Sequence, residues 1–170
     1  MSDIRLPRRF APVETISDSA LVVRDHLAST LRILKLGTES TDASRAELAR
    51  EYELLAGFRH FGLPRAHDFG RLDDGRAWLT MEAVPGAAPR GPLTRPELRL
   101  LVDGLCEPLG LLHARGLVHR DVKPDNVRLD RATGRVVLLD LGLAGAPGRL
   151  EEIRGTVGYM APEASGGETV

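Results

Sequence analysis

The reactive side chains of this sequence are most concentrated at residues 119–126, which read HRDVKPDN. Asp121 brings a carboxylate that can accept a proton, Lys123 an ammonium group that can pair with an anion, and Asn126 an amide oxygen that can bind a cation. A second carboxylate, Asp140, follows the apolar run 136–139. A polar turn between two short strands is the alternative interpretation, but these side chains together are suited to chemistry on a charged group.

The run resembles, in identity and spacing, the H-R-D-x-x-x-x-N catalytic loop of protein kinases. The resemblance implies that Asp121 orients the attacking hydroxyl group and accepts its proton, and that Asn126 is a ligand of Mg²⁺. It also implies that Lys123 stabilises charge on the transferred phosphoryl group, and a lysine at this place is typical of serine/threonine kinases. Arg120, beside the catalytic aspartate, usually recognises a phosphate on the activation segment of such enzymes.

Two further segments strengthen the resemblance. The tripeptide DLG at 140–142 resembles the metal-binding D-F-G, with Leu141 in place of phenylalanine, and implies that Asp140 is the second Mg²⁺ ligand. The segment GTVGYMAPE at 155–163 resembles the G-T-x-x-Y-M-A-P-E that closes the activation segment of serine/threonine kinases. It implies that Thr156 packs against the catalytic loop and shapes the site for a substrate hydroxyl group. This segment also disfavours the small-molecule kinases of similar fold.

The N-terminal half contains a segment that resembles the V-A-I-K strand of the family, LRILK at 31–35. The resemblance implies that Lys35 contacts the α- and β-phosphates of ATP and is held there by a glutamate of the following helix. Glu51 is the expected partner, with Glu47 and Glu53 as competitors. An edge-strand lysine that faces water is the alternative for this position.

The segment WLTMEAVPG at 78–86 resembles the last N-lobe strand and the hinge of the family. Met81 would then be the gatekeeper behind the adenine. Backbone groups of Glu82 and Val84 would hydrogen-bond the adenine edge, which makes their side-chain identity unimportant. A plain strand and turn is the alternative interpretation.

The elements that must hold these residues are predicted as alternating strands and helices, with a hairpin near the start. The predicted strands are 20–23, 31–36, 66–72, 76–82, 127–129 and 136–139. The first predicted helix, 42–57, starts with a capping box of Ser44 and Glu47, and the second, 95–114, starts with one of Thr94 and Glu97.

The pattern and the resemblance together predict an α+β, protein-kinase-like fold. We expect a five-stranded antiparallel N-lobe with one helix, and an incomplete, mainly helical C-lobe. The Pro- and Gly-rich stretch 85–92 is the best boundary in the chain. The expected domains are therefore an N-lobe at 10–84, a hinge or linker at 85–92, and a partial C-lobe at 93–170 with the catalytic loop and the activation segment.

The sequence departs from the family where a glycine-rich loop, G-x-G-x-x-G, should precede Lys35. The stretch 15–20 reads TISDSA instead. Glycines give backbone N–H groups unhindered approach to phosphates. Ser17 and Ser19 can still donate hydroxyl groups, but Asp18 would repel phosphates if it pointed inward. We therefore expect weaker ATP binding than in typical relatives.

The activation segment is unusual because it has no Ser, Thr or Tyr between Leu143 and Arg154. Glu151 and Glu152 lie in that region, which suggests that a carboxylate substitutes for the phosphate that Arg120 would bind. A solvated acidic turn is the alternative interpretation. The sequence also stops at Val170, whereas the kinase domain continues for about a hundred residues. We expect a truncated product, whose C-lobe a missing C-terminal portion or a partner would cover.

Composition indicates which binding partners and which cellular compartment to expect. A net charge of −1 argues against binding to nucleic acid or to an anionic membrane surface. The lone cysteine, Cys106, fits a reducing cytoplasm, and we expect neither a signal peptide nor a membrane segment in this sequence. The chain is thus identified as similar to bacterial eukaryotic-like serine/threonine protein kinases, with ATP and Mg²⁺ as cofactors and a protein as substrate. A nucleotide-binding or regulatory module without turnover is the alternative function.

Overall fold

A computed structural model describes residues 5–148, 156 and 158–160. The chain divides into two compact units. The first unit comprises the residues up to Arg59 together with Pro64–Ala83, and the second comprises His60–Leu63 and the residues from Val84 onward. Within the described residues, each unit has its own sheet and one long helix.

The first unit is built on a five-stranded antiparallel sheet, which confirms the predicted architecture. Its strands are β1 (Phe10–Ser17), β2 (Ala20–Asp25), β3 (Thr30–Leu36), β4 (Ala66–Arg71) and β5 (Ala77–Glu82). Their order across the sheet is β1-β2-β3-β5-β4, and every neighbouring pair is antiparallel. The predicted hairpin is the β2–β3 pair, in which Asp25 lies opposite Thr30.

Alternation along the strands explains how an apolar cluster forms on one face of the sheet. Leu21 and Val23 on β2, and Leu34 and Leu36 on β3, project to one side, because side chains of a strand alternate between faces. They form one cluster with Phe10 of β1, Trp78 of β5 and Leu72, which directly follows β4, and Leu6 packs against this cluster. The rings of Phe10 and Trp78 meet edge to face, with centroids 5.4 Å apart.

Helix α1 (Asp42–Ala56) follows β3 and ends at Gly57, as predicted. It also begins at the predicted residue, but the predicted capping box is wrong. Thr41 is the N-cap and its hydroxyl group accepts the N–H of Ser44 at 3.2 Å, so Ser44 lies inside the helix and does not cap it. The helix buries Ser44, Leu48, Glu51 and Leu55, which lie on one side at a spacing of three or four residues. A carboxylate therefore occupies the buried face of α1.

The second unit contains helix α2 (Arg95–Ala114) and a hairpin of β6 (Val127–Asp130) with β7 (Arg135–Leu138). The predicted capping box of Thr94 and Glu97 is confirmed at the start of α2. The helix packs closely on β7 at Gly104, where a β-carbon would lie 2.6 Å from the β-carbon of Val136. Among its twenty residues only Pro108 and Leu112 are buried.

The catalytic-loop sequence lies between α2 and β6. It ends in a single 3-10 turn, Pro124–Asn126, that leads directly into β6. No helix in the described part of the chain is long and apolar enough to cross a membrane.

Candidate active site

The carboxylate of Asp121 is the centre of a hydrogen-bonded cluster in the second unit. Lys123 donates from Nζ to Oδ2 at 2.7 Å, and Asn126 donates from Nδ2 to the same oxygen at 2.8 Å. The hydroxyl group of Thr156 donates to Oδ1 at 2.7 Å and accepts a hydrogen bond from Lys123. Four residues that the sequence predicted for one site are therefore in direct contact.

These contacts control the charge of Asp121. Burial by itself would raise the pKa of the carboxyl group, but the hydrogen bonds from Lys123, Thr156 and Asn126 outweigh it, so the pKa lies below its ordinary value. The side chain is 11% exposed, so it is held within the protein but remains reachable from solvent. Asp121 is accordingly an ionised, oriented hydrogen-bond acceptor at neutral pH.

His119 fixes the backbone of this loop through both nitrogens of its ring. Its Nδ1 accepts the N–H of Asp121 at 3.3 Å, and its Nε2 donates to the carbonyl of Leu139 at 3.0 Å. The ring is buried, and this burial lowers the pKa of His119. A neutral ring supplies the one acceptor and one donor that this arrangement needs.

Arg120 has a backbone φ of 69°, in the left-handed region that residues with side chains rarely adopt. Its guanidinium group hydrogen-bonds the carbonyl of Ala146, at the start of the activation segment. The proposed carboxylate partners of Arg120, Glu151 and Glu152, lie outside the described residues, as does most of the 155–163 segment.

Asn126 and Asp140 are brought together by a backbone hydrogen bond between their segments. The N–H of Leu139 donates to the carbonyl of Asn126 at 2.7 Å. Asp140 is the next residue after Leu139, so this hydrogen bond holds the backbone of Asp140 near Asn126. Asp140 also has a left-handed backbone, with φ of 58°, and its Oδ1 accepts the N–H of Gly142 at 3.1 Å. Such strained backbone positions concentrate at functional sites. Leu141, which replaces the family's phenylalanine, is fully buried.

The oxygens of these two side chains fit the chemistry of Mg²⁺. Asn126 uses Nδ2 to bind Asp121, so its Oδ1 is the end suited to a cation. Among the residues that the structure describes, no cluster of three or more His, Cys, Asp or Glu could hold a metal by itself. Mg²⁺ typically uses one or two protein oxygens, with water and substrate phosphates as further ligands. Asn126 and Asp140 fit a metal that arrives with a phosphate substrate.

In the first unit, Lys35 of β3 is paired with Glu51 of α1. The Nζ atom of Lys35 donates to both carboxylate oxygens, at 2.9 and 2.8 Å. The side chain of Glu51 is 3% exposed and that of Lys35 is 25% exposed. The competing glutamates, Glu47 and Glu53, are exposed on other sides of α1. The partner of Lys35 is therefore Glu51.

The residues predicted for adenine binding lie at the end of β5 and just beyond it. Met81 is buried and pairs with Ile33 of β3. The N–H of Glu82 donates to the carbonyl of Arg65 at 2.8 Å, so this N–H is used within the sheet. Val84, which is half-buried, begins the second stretch of the second unit. The predicted hydrogen bond between the backbone of Glu82 and adenine would therefore use the carbonyl group of Glu82 and not its N–H.

His119 belongs to the sequence motif, but no role for it was predicted from the sequence. Its position two residues before Asp121 is the signal that could have found it, because a side chain at that distance can accept the aspartate's N–H. A second overlooked signal is compositional: Lys35 and Lys123 are the only lysines in the sequence, and all other basic side chains except histidine are arginine. Each lysine contacts a carboxylate within its own unit, Lys35 that of Glu51 and Lys123 that of Asp121.

Comparison with known proteins agrees with this geometry. A family model described as "Protein kinase domain" matches residues 22–169. Serine/threonine-protein kinase PknJ of Mycobacterium bovis is 32% identical over 137 residues, which cover 73% of this chain and 23% of the relative. PknF of Mycobacterium tuberculosis is 32% identical over 151 residues, covering 78% and 31%. PknI of Mycobacterium bovis is 33% identical over 151 residues, covering 82% and 24%. The chain thus spans less than a third of the length of these relatives.

Proposed function

Because the chain belongs to the protein kinase family, we propose that it transfers the γ-phosphoryl group of ATP to a serine or threonine hydroxyl group of a protein. The observation that carries this proposal is the Asp121 cluster, in which one carboxylate is bound by Lys123, Asn126 and Thr156. The three relatives, all named serine/threonine-protein kinases, support it.

In the proposed reaction Asp121 accepts a hydrogen bond from the substrate hydroxyl group and turns its oxygen toward the phosphoryl group. Its lowered pKa keeps it ionised, so it is always ready to accept this hydrogen bond and then the proton. A carboxylate of low pKa is a weak base. Its main contribution is therefore orientation, with proton transfer late in the reaction.

Lys123 has a second task beyond holding Asp121. Its ammonium group stabilises the negative charge on the phosphoryl group while that group passes from the leaving oxygen of ATP to the attacking hydroxyl oxygen. Thr156, bound to both Lys123 and Asp121, fixes the orientation of this pair. The ionised carboxylate of Asp121 can accept a hydrogen bond from a neutral hydroxyl group but would repel a negatively charged nucleophile. The substrate group that fits beside it is therefore a hydroxyl group.

The phosphates of ATP are bound by Lys35, which Glu51 holds in place. Asn126 and Asp140 would hold Mg²⁺, which neutralises phosphate charge when it is bound. Met81, the carbonyl of Glu82 and the backbone of Val84 would contact the adenine. Cys106, which is exposed, supports a reducing cytoplasm as the place of the reaction.

A nucleotide-binding module without turnover is the second candidate. The observation that favours it is the stretch 15–20, which has serine and aspartate where the family has glycines. The retained Asp121, Asn126 and Asp140 argue for the enzyme, because a module without turnover needs no group to orient a hydroxyl nucleophile.

The test is phosphoryl transfer from labelled ATP, with Mg²⁺ and a generic protein substrate, by the wild-type chain and by Asp121→Asn. We expect the substitution to lower transfer by on the order of 100-fold to 10,000-fold. Asp125→Asn is the matched control, since it removes an exposed carboxylate from the same loop. It should transfer like the wild type. Nucleotide binding without transfer by the folded wild-type chain would favour the module, and equal transfer by all three proteins would refute the role of Asp121.

A further inference from the structure

The turn between β1 and β2 is a two-residue connection made without glycine. Ser17 ends β1 and pairs directly with Ala20, the first residue of β2, so Asp18 and Ser19 form the loop. Two-residue hairpins usually need positive φ at one or both loop positions, which favours Gly or Asn. Neither Asp18 nor Ser19 has a positive φ. A register shift between Thr15 and Ser17 instead adapts the strand to the turn.

The backbone of this turn is already engaged within the protein. The N–H of Ser19 donates to the hydroxyl oxygen of Ser17 at 3.3 Å, a local side-chain contact of the kind that serines make in turns. The carbonyl of Ser19 accepts the N–H of Leu36 at 2.7 Å, which fixes the turn to β3. A phosphate would have to displace Ser17 before it could receive the hydrogen bond of Ser19.

The turn is close to Lys35 in the register of the sheet. Ala20 lies directly opposite Lys35 across the β2–β3 pair. Adjacent strands are about 5 Å apart, so Ala20 is close to Lys35. Ser19 and Asp18 are the next two residues of the turn beyond Ala20. Asp18 is exposed. Its carboxylate therefore adds negative charge near the lysine that is proposed to bind the phosphates of ATP.

We propose that Ser17 and Asp18 set the nucleotide affinity of this chain, Ser17 by occupying the N–H of Ser19 and Asp18 by repelling phosphate. The inference rests on the proposed function, in which Lys35 binds the α- and β-phosphates. Both residues act on the phosphate part of the nucleotide and leave adenosine untouched. The sequence had left open whether Ser17 assists phosphates with its hydroxyl group, and the contact with Ser19 assigns it the opposite effect.

The experiment compares Mg-ATP and adenosine binding by Ser17→Ala and Asp18→Asn with that of the wild-type chain, by isothermal titration calorimetry. Ser17→Ala keeps the β-carbon and removes only the hydroxyl group, so it frees the N–H of Ser19 without making the turn flexible. We expect it to tighten Mg-ATP binding about tenfold, the effect of one additional hydrogen bond to a charged group. Asp18→Asn should tighten it about threefold, because exposed charges are screened by salt. Adenosine binding should not change.

Glu14→Gln is the matched control for the charge change. Glu14 is an exposed carboxylate of β1, outside the turn, and its removal changes the net charge by the same amount as Asp18→Asn. It should leave Mg-ATP binding unchanged at 0.15 M salt. If Glu14→Gln tightens Mg-ATP binding as much as Asp18→Asn, the effect is one of net charge and the role of Asp18 is refuted.

The outcomes separate this inference from the proposed function. If Ser17→Ala weakens Mg-ATP binding or leaves it unchanged, while the wild-type chain still transfers phosphoryl groups, the inference is wrong and the proposed function stands. If Ser17→Ala tightens adenosine and Mg-ATP equally, the turn does not act on phosphates and the inference is again wrong. If no protein in the series binds either ligand, although circular dichroism shows that all are folded, both proposals fail together.

Discussion

The two units hold their lysines in different ways. Lys35 in the first unit is bound by the carboxylate of Glu51, which comes from another element and lies sixteen residues away in the sequence. Lys123 in the second unit is bound by Asp121, two residues before it, and by Thr156. The first pair exists only where α1 packs on the sheet, whereas the second is largely a property of one loop. The first arrangement therefore depends on tertiary packing, and the second depends mainly on local sequence.

The largest expected effect comes from replacing each lysine by methionine. Lys123→Met should lower the rate of phosphoryl transfer on the order of 100-fold, as expected for the loss of one group that stabilises developing charge. Its Mg-ATP affinity should stay within about twofold of the wild type. Lys35→Met should weaken Mg-ATP binding about tenfold, because it removes a charged contact to the phosphates. Steady-state kinetics and calorimetry measure both quantities, and equal effects of the two substitutions on affinity would erase the distinction between the units.

Stability should show the opposite order of sensitivity. Lys35→Met removes the ammonium group that binds the buried carboxylate of Glu51, which should lower the free energy of unfolding by about 3 kcal/mol. Lys123→Met should cost only about 1 kcal/mol, because Asp121 retains Thr156 and Asn126 as hydrogen-bond donors. Urea denaturation measures both changes. The double variant Lys35→Met with Glu51→Leu is the control and should recover most of the loss, whereas a Lys35→Met chain as stable as the wild type would contradict the argument.

Helix α2 allows a smaller test of packing in the second unit. A β-carbon on Gly104 would lie 2.6 Å from Val136, so Gly104→Ala should destabilise the chain by about 1 kcal/mol, although alanine favours a helix. Gly110 lies on the same helix, and none of the described atoms would be within 4 Å of a β-carbon there. Gly110→Ala should therefore stabilise the chain by about 0.5–1 kcal/mol. Thermal unfolding distinguishes the two, and stabilisation by both would show that α2 does not pack closely on β7.

The smallest predicted effect is a shift in pH dependence. The hydroxyl group of Thr156 is one of the donors that lower the pKa of Asp121. Thr156→Ala removes this donor, so the pKa should rise and the fall in activity at acid pH should begin at a higher pH than in the wild type. Thr156→Ser keeps a hydroxyl group and is the control. A pH–rate profile measures the shift, and identical acid limbs for all three proteins would rule out this electrostatic role.

Sequence predicted the candidate site best where the site is a continuous loop. The order of Asp121, Lys123 and Asn126 along the chain was sufficient to predict that they would act together, since they are at most five residues apart. The partner of Lys35 could not be chosen in the same way, because a helix carries several glutamates and only packing decides which is buried. In the structure Glu51 is the buried one, whereas Glu47 and Glu53 are exposed.

Local hydrogen bonds of the helix cap and of the β1–β2 turn could not be predicted from the sequence either. Both Thr41 and Ser44 are residue types that cap helices, and the observed N-cap is Thr41, three residues before Ser44. At the β1–β2 turn the absence of glycine was evident from the sequence. The donation from Ser19 to Ser17 was not, because a serine hydroxyl can donate or accept. The five-stranded sheet itself followed from alternation and from the family pattern.

The restriction of lysine to two positions gives the chain a built-in pair of chemical reporters. A reagent that acylates side-chain amines has one target in each unit, Lys35 in the first and Lys123 in the second. Their side chains are 25% and 20% exposed, so both can be reached without unfolding. Mass spectrometry of the two labelled peptides then measures, in one sample, which amine a bound molecule protects.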